Sequence, residues 1–496
     1  MKRFLIIICC LLFVSYSVAQ TSKADITVHN KETYDVTTDV TFADVTIESG
    51  GILTVKSGAI LTVTGTLISQ DVTCLVIEDG GQLVYVNDDA EVNATVHKNI
   101  EAYADNTKKW YTISNPMTAS YTIVGSSSFC DNDYKLFQYQ EEGHGWIEST
   151  SQDPLFSEQT GLGYVYANKN AGIYQFQGVL NTNSNIDVVV TCIDDGDLKG
   201  FNLVGNPFPH DIYKGYESSL EQCAIYSSKI ATGYYTIDGN GSWATHSYND
   251  PIKPCQGVLI KLNESINNTD KLKIYNKTNL PNGDKKRKRL QGLCVSVSGN
   301  TGNDRTFVYF NKGIGLDKIN HKSDIVPYLC VNYENKNYAI AHVDKNCRAL
   351  DVVFRNNQTG FFTLNVEDGL SDFSYLHLID NITGDDVDLL LEPSYKFAAN
   401  GNEYESRFKL VFAPNSNDNI DNTTFAYISN NDIIISGVKE KATLQVYDVT
   451  GRMIKSEIVS GVEGSISRVA KPNVAGVYVL RLIESNNVNT QKLVVE

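Results

Sequence analysis

Beyond residue 19 the sequence holds no apolar run resembling a membrane-spanning helix, which takes about 20 residues. It has no basic excess: Lys+Arg number 42 against 58 for Asp+Glu. Such a balance is poorly matched to a phosphate backbone, so nucleic acid is excluded as a general partner. No C-x-x-C occurs after residue 19, which argues against thioredoxin-like redox chemistry and structural zinc knuckles. The G-x-S-x-G elbow, H-E-x-x-H, the phosphate-binding loop and the dinucleotide fingerprint are all missing, and with them the commonest hydrolase, metalloprotease and nucleotide-dependent chemistries. The eight histidines show no close ligand spacing. Helical periodicity is scarce between 108 and 280.

What is present begins with an export signal. Lys2 and Arg3 precede an apolar core from Phe4 to Val14, and Ser17-Val18-Ala19 forms a small-residue exit. Cys9 and Cys10 lie inside that core, behind Ile7 and Ile8, which argues against lipidation. Cleavage after Ala19 leaves Gln20 to Glu496, with 40 basic and 58 acidic residues and a formal charge of −18. Eight cysteines remain: Cys74, Cys130, Cys192, Cys223, Cys255, Cys294, Cys330 and Cys347. Export permits disulfides, and a local Cys330–Cys347 bridge is one pairing the spacing allows; small buried hydrophobes are the other reading.

The chain reads as all-β: a short N-terminal β-solenoid or β-roll, several β-sandwich domains, and an immunoglobulin-like C-terminal domain. Residues 1–19 are the signal, 20–107 the solenoid or roll, 108–290 a duplicated sandwich region with a basic boundary loop, 291–419 a further sandwich, and 420–496 the terminal domain. VTIESGGILTVKSGAILTVTGTL, from Val45, repeats ILTV at Ile52 and Ile60. IESGGILTV from Ile47 is echoed by IEDGGQLVY from Ile77, an offset of 30. One such rung buries too few side chains to stand alone and needs stacked neighbours. A plain antiparallel sandwich is the alternative. Farther on, KWYTISNPM and GFNLVGNPF place Asn115-Pro116 and Asn206-Pro207 at an offset of 91. Each block is an aromatic strand ending in a turn. The run Lys285 to Arg289 after Pro281 and Gly283 reads as an exposed loop, open to trypsin-like processing.

Few residues offer chemistry. Asp194, Asp195 and Asp197 supply hard oxygen ligands for calcium, without EF-hand spacing; a solvated turn is the plainer reading, and no other cofactor is expected. His144 beside Trp146 and His246 beside Trp243 are the tightest polar–aromatic neighbourhoods. Paired carboxylates suit glycoside hydrolysis at defined separations, but sequence gives no distances, so no catalytic residue is selected. Trp110, Trp146 and Trp243 are candidate ligand-surface aromatics, able to stack on sugars or meet a partner's apolar surface. Most of the surrounding tyrosines read as core.

The tail carries a family resemblance. TLQVYDVTGRMIKSE from Thr443, then NVAGVYVLRLIESNNVNTQKLVVE from Asn473, resemble the type A C-terminal sorting domain of type IX secretion substrates from Bacteroidetes. The matching motif positions include Val446, Asp448, Gly451, Arg452, Gly476, Tyr478 and Lys492; Glu496 departs from the basic last residue often seen. The resemblance implies an immunoglobulin-like module recognised by the type IX translocon and an outer-membrane sortase, with attachment to lipopolysaccharide in many members. The product would be surface-attached or extracellular. SYLHLIDNITGDDVDLLLEPSYKF and ESRFKLVF are similar to the β-domain that often precedes such tails.

Three readings of function follow. One is a secreted or cell-surface protein for adhesion, ligand display or envelope and matrix structure, with a glycan or protein ligand. A second is a carbohydrate-binding or carbohydrate-active protein with a site in 108–415, for which a clustered pair of partly buried acids in an open cleft would speak. A third is a structural component whose partners are other copies or the envelope.

Overall fold

The computed structural model describes residues 24–495 except 103–109, 125–133, 142, 144, 149–159, 193–197, 216–223, 226, 238–241, 264–271, 278–289, 322, 374, 402–406, 413–425, 430–431, 436–437, 439–440, 461–466 and 485–486. The signal, Cys130, Cys223, His144, the three calcium candidates and the run Lys285 to Arg289 lie outside the described residues. Among those described, the sole helical segment is a 3-10 turn, Leu370–Asp372. Everything else regular is strand.

Nine short strands build a three-sided parallel solenoid: β1 (Ile26–Val28), β2 (Thr33–Val36), β3 (Val40–Phe42), β4 (Val45–Ile47), β5 (Ile52–Val55), β6 (Ile60–Val63), β7 (Leu67–Ser69), β8 (Leu75–Ile77) and β9 (Gln82–Val84). The sides are β1-β4-β7, β2-β5-β8 and β3-β6-β9. Alternation in each strand turns one set of side chains inward, and parallel register stacks like on like: Leu53 on Leu75, Val55 on Ile77, Leu61 on Leu83. One rung therefore spans about 22 residues, and the echo at 30 relates neighbouring sides. The two ILTV copies are β5 and β6, successive sides of one rung. Each side reuses one strand–turn recipe, which is why the eye catches the wrong period. The turn needs its glycine pair. Gly50 and Gly80 have φ +82° and +87°, and a Cβ on Gly51 or Gly81 would meet Val28 O or Val55 O at 2.6 Å.

The solenoid does not end on a bare edge, which would invite pairing with another chain. Strand β10 (Asn93–Ile100) adds parallel to β8. Between Tyr111 and Tyr275 come β11 (Tyr111–Ser114), β12 (Met117–Val124), β13 (Tyr134–Gln140), β14 (Gly145–Glu148), β15 (Gly163–Asn168), β16 (Gly172–Leu180), β17 (Asn185–Val188), β18 (Phe201–Gly205), β19 (Ile212–Tyr213), β20 (Tyr234–Ile237), β21 (Trp243–His246), β22 (Pro251–Ile252), β23 (Gly257–Lys261) and β24 (Leu272–Tyr275). β16 and then β12 extend the β10 side antiparallel. Leu83 N donates to Pro209 O at 2.8 Å and Asp211 N to Gln82 Oε1 at 2.8 Å, closing the edge of β9.

The sequence duplication has a structural counterpart. Sheets β11-β15-β13-β14 and β18-β23-β20-β21 share one strand order. Asn115 Oδ1 accepts from Met117 N and Asn206 Oδ1 from Phe208 N, both at 2.9 Å, so each Asn bridges its own proline. The two copies meet reciprocally: Ser114 N donates to Cys255 O at 3.0 Å, and Gly205 N to Gly161 O at 2.7 Å. This close approach excludes side chains. A Cβ on Gly163 would lie 2.5 Å from Val204 O, and one on its counterpart Gly257 2.8 Å from Ile113 O.

From Gly292 to Phe412 an 11-stranded, mostly antiparallel sheet encloses one main core, with two small buried clusters beside it. Phe354, Phe362, Phe397 and Phe408 form its aromatic centre, with ring centroids 4.8–6.0 Å apart. A separate core joins this sheet to the duplicated region through Tyr235, Trp243, Leu259, Phe307, Tyr309 and Ile340. Cys330 and Cys347 are not bridged. The Cys330 thiol, inside a strand, points to the Tyr328 hydroxyl, and the Cys347 thiol donates to Ala349 O. All six described cysteines are free thiols.

The tail is two sheets around one core. A three-stranded sheet (Ala426–Ser429, Asp432–Ile435, Ser467–Ala470) faces a four-stranded one in the order Met453–Ser460, Lys441–Asp448, Gly476–Glu484, Asn487–Val495. Ile433, Ile435 and Val469 meet Leu444, Val446, Leu480, Leu482 and Leu493. The Gln491 side chain bonds both backbone groups of Ala426, tying the two sheets together.

Candidate functional site

Two regions carry chemistry. The first is the hairpin joining Lys441–Asp448 to Met453–Ser460. Asp448 is its hub: one carboxylate oxygen accepts from Thr450 N (2.9 Å), Thr450 Oγ1 (2.6 Å) and Arg452 N (3.1 Å), the other from Arg452 Nε (3.1 Å). The Thr450 hydroxyl first, then the backbone donors and Arg452, hold this carboxyl below the usual range. Gly451, at φ +81°, closes the turn with a bond to Asp448 O at 3.0 Å. Other motif residues are structural: Val446 is fully buried and the Tyr478 hydroxyl donates to Val474 O at 2.7 Å. Gly476 pairs with Val495 and Lys492 with Val479 in the edge ladder. Among the described residues, seven of the eighteen exposed large apolar side chains, Ile458 and Val474 among them, belong to this module, a concentration that suits recognition by another protein.

The second region is a cleft of about 250 Å³ where the duplicated region meets the 11-stranded sheet. Its walls are the turn Ser247 to Asp250, strands Gly292–Gly299 and Gly302–Tyr309, and the end of Thr359–Asp368. Arg305 lies at its centre. Nε donates to Thr245 O (2.6 Å), one terminal nitrogen to Asp250 Oδ2 (2.8 Å), and the other lies 3.9 Å from Glu367 Oε2. The guanidinium sits 5.3 Å above the Phe307 ring. Ser247 N fixes Asp250 at 2.9 Å. Burial alone would raise the Asp250 carboxyl, but His246, Arg305 and the Ser247 N–H outweigh it and hold it below the ordinary value. Tyr248 and Tyr309 rings, 5.7 Å apart, form an aromatic wall. The Cys294 thiol faces Glu367 at 3.5 Å and is kept protonated by burial and that carboxylate.

The aromatics singled out from sequence lie close to each other but face inward. Trp146 stacks on Trp243 at 6.2 Å, Trp110 packs on Phe137 at 5.8 Å, and Trp243 is 4 % exposed. His246 is half-buried, stacked on Tyr234 at 4.9 Å, and its proton affinity is lowered by burial. Asp250, Arg305 and Glu367 had no local signal, being 55 and 62 residues apart in the chain; His246, four residues before Asp250, was the one pointer nearby. Among the described residues no group of three or more His, Cys, Asp or Glu is placed to hold a metal ion. No described helix is long and apolar enough to cross a membrane.

Comparison with known proteins identifies the first region. Residues 427–496 match the secretion system C-terminal sorting domain family, so the C-terminal region is a type IX sorting domain, read by the translocon and sortase of that pathway. No curated protein matches the chain. Among solved structures, a biofilm associated protein (BSP domain) aligns over 83 % of this chain and 97 % of its own, at 10 % identity and a TM-score of 0.15, too low to bear on architecture. The chain is thus a multi-part, largely β protein, exported to the surface or beyond through its sorting domain.

Proposed function

We propose that this protein is displayed outside the cell as an adhesion, ligand-display or matrix component. On this reading residues 20–107 form a stalk, 108–290 and 291–419 are sandwich-type display domains, and 420–496 is an immunoglobulin-like sandwich that delivers them, with lipopolysaccharide attachment as its outcome. The observation that carries it is the pairing of a delivery tail with cores that run across both upstream junctions. Such continuity gives reach and stiffness rather than the moving parts of an enzyme. Deleting Ile420 to Glu496 is expected to leave the protein in the periplasm of its native host, measured by fractionation and surface protease accessibility. Normal surface delivery of that truncation would overturn the reading.

One observation favours a second reading within this one, a carbohydrate-binding site in 108–415: half-buried Asp250 and exposed Glu367 both lie against Arg305 in one cleft. Hydrolysis is a poorer fit than binding. A general acid has its pKa raised, whereas Asp250 is held ionised against Arg305.

A further inference from the structure

We infer that the cleft around Arg305 binds a neutral, polyhydroxylated ring, the pyranose unit of an uncharged glycan. This rests on the display reading and names the ligand class for it. The argument starts from what the cleft already satisfies. Carboxylates beside aromatic rings ordinarily suit a cation, such as a lysine or methylated amine. Here that seat is taken, because the protein's own guanidinium stacks on Phe307 and reaches both Asp250 and Glu367. A second cation would have to displace or face Arg305. Among the described residues, an anionic sugar would face Asp250, Glu367 and Asp368 in a cleft whose lining includes one arginine.

What remains open is a neutral group that both donates and accepts. Carboxylate oxygens accept and the guanidinium only donates, and Asp250, Glu367 and Arg305 are side by side. Adjacent hydroxyls of a pyranose, each donor and acceptor, can bridge such a row, one giving a proton to a carboxylate while its neighbour takes one from the arginine. Tyr248 and Tyr309 also line the cleft, each with more than nine-tenths of its surface buried. The cavity, about 250 Å³, admits one ring with its exocyclic groups rather than an extended oligosaccharide. Glu367, with 42 % of its side chain exposed, is the most exposed of the three, and its contact with a buried group is the Cys294 thiol at 3.5 Å, from which a glutamine oxygen can also accept.

The test uses the full exported chain and saturation-transfer NMR with the methyl glycosides of glucose, galactose, mannose and N-acetylglucosamine. Methyl glucuronide and N-acetyl-lysine methylamide serve as the charged probes. At least one neutral glycoside should bind, and Glu367→Gln should weaken it by about tenfold or more, the weight of a charge-assisted hydrogen bond. Asp187→Asn, remote from the cleft, should not change it, and an unchanged melting curve for Glu367→Gln excludes unfolding as the cause. Preferential binding of the glucuronide or the lysine probe would overturn the inference. So would neutral binding indifferent to Glu367→Gln, or no binding of any glycoside. A glycan and host-protein array run on the same chain separates the two claims: array binding that survives Glu367→Gln refutes the cleft and leaves display standing.

Discussion

Acidification is expected to loosen the junction between the duplicated region and the 11-stranded sheet through His342. Its ring bridges the two: Nε2 lies 2.7 Å from Thr232 Oγ1 and Nδ1 2.9 Å from Asn311 Oδ1, with the Tyr309 ring 5.6 Å away. Burial lowers its pKa from 6.5 to about 4; the Asn311 hydrogen bond opposes this, and the nearby Lys214 charge adds a smaller lowering. Because the folded value lies below the unfolded one, the stabilisation is fully present above about pH 6.5 and is lost as pH falls toward 4. At 1.36 kcal/mol per pH decade the complete loss is about 3 kcal/mol. Buried cores remain, so the loss is local and a single global transition is the wrong readout. Hydrogen exchange of strands Tyr234–Ile237 and Lys336–His342 between pH 7 and 4.5, corrected for intrinsic rates, measures it. The wild type should lose protection there; His342→Gln, which bridges without titrating, should show a flatter profile. Equal pH profiles in the two proteins would refute the assignment to His342.

Arg407→Met should be costly, because it strands Asp380 in the core. Both side chains are at most 2 % exposed, linked by contacts of 2.7–3.1 Å, and loss of one partner from such a pair costs about 3–5 kcal/mol; urea unfolding followed by exchange of Phe408–Phe412 checks it. Gly257→Ala should destabilise the duplicated region by roughly 1–3 kcal/mol, since its Cβ meets Ile113 O at 2.8 Å; a thermal shift of under a degree would contradict the close approach. Peptide mass mapping without reductant should return Cys330, which is buried, and Cys347, which is half-buried, as unbridged thiols.

How much of this was legible beforehand depended on whether the determinant was local. Alternation in ILTV and the Gly-Gly turns are neighbour effects, so the stacked solenoid could be read directly. Its period was harder, because β5 and β6 carry identical letters on different sides, and only the pairing of Leu53 with Leu75 sets the rung. The Asn-Pro blocks marked the duplication for the same local reason: each Asn side chain bridges its own proline. The cleft was invisible. Asp250, Arg305 and Glu367 come from two regions with different folds and meet only where those regions pack. A flat ring suits a sugar and a sheet interface equally; Trp243 is buried in the interface core, and Trp110 and Trp146 pack half-buried against it.

The tail differs from the rest in how it is held. One core runs from the solenoid into β15 and β16, and another from the duplicated region into the next sheet, so those parts share their hydrophobic stabilisation. The tail's core is drawn entirely from residues between Ala426 and Val495. Its contact with the preceding sheet includes Arg468, 40 % exposed, with Asp386, 10 % exposed, at 2.7 Å. A module that must be recognised on cargo of any shape has to fold without help from it. Asp448 makes the same point at the scale of one turn: its partners, Thr450 and Arg452, lie within four residues. YDVTGR therefore keeps its shape whatever precedes it, which a delivery signal requires and a binding site assembled across a junction does not.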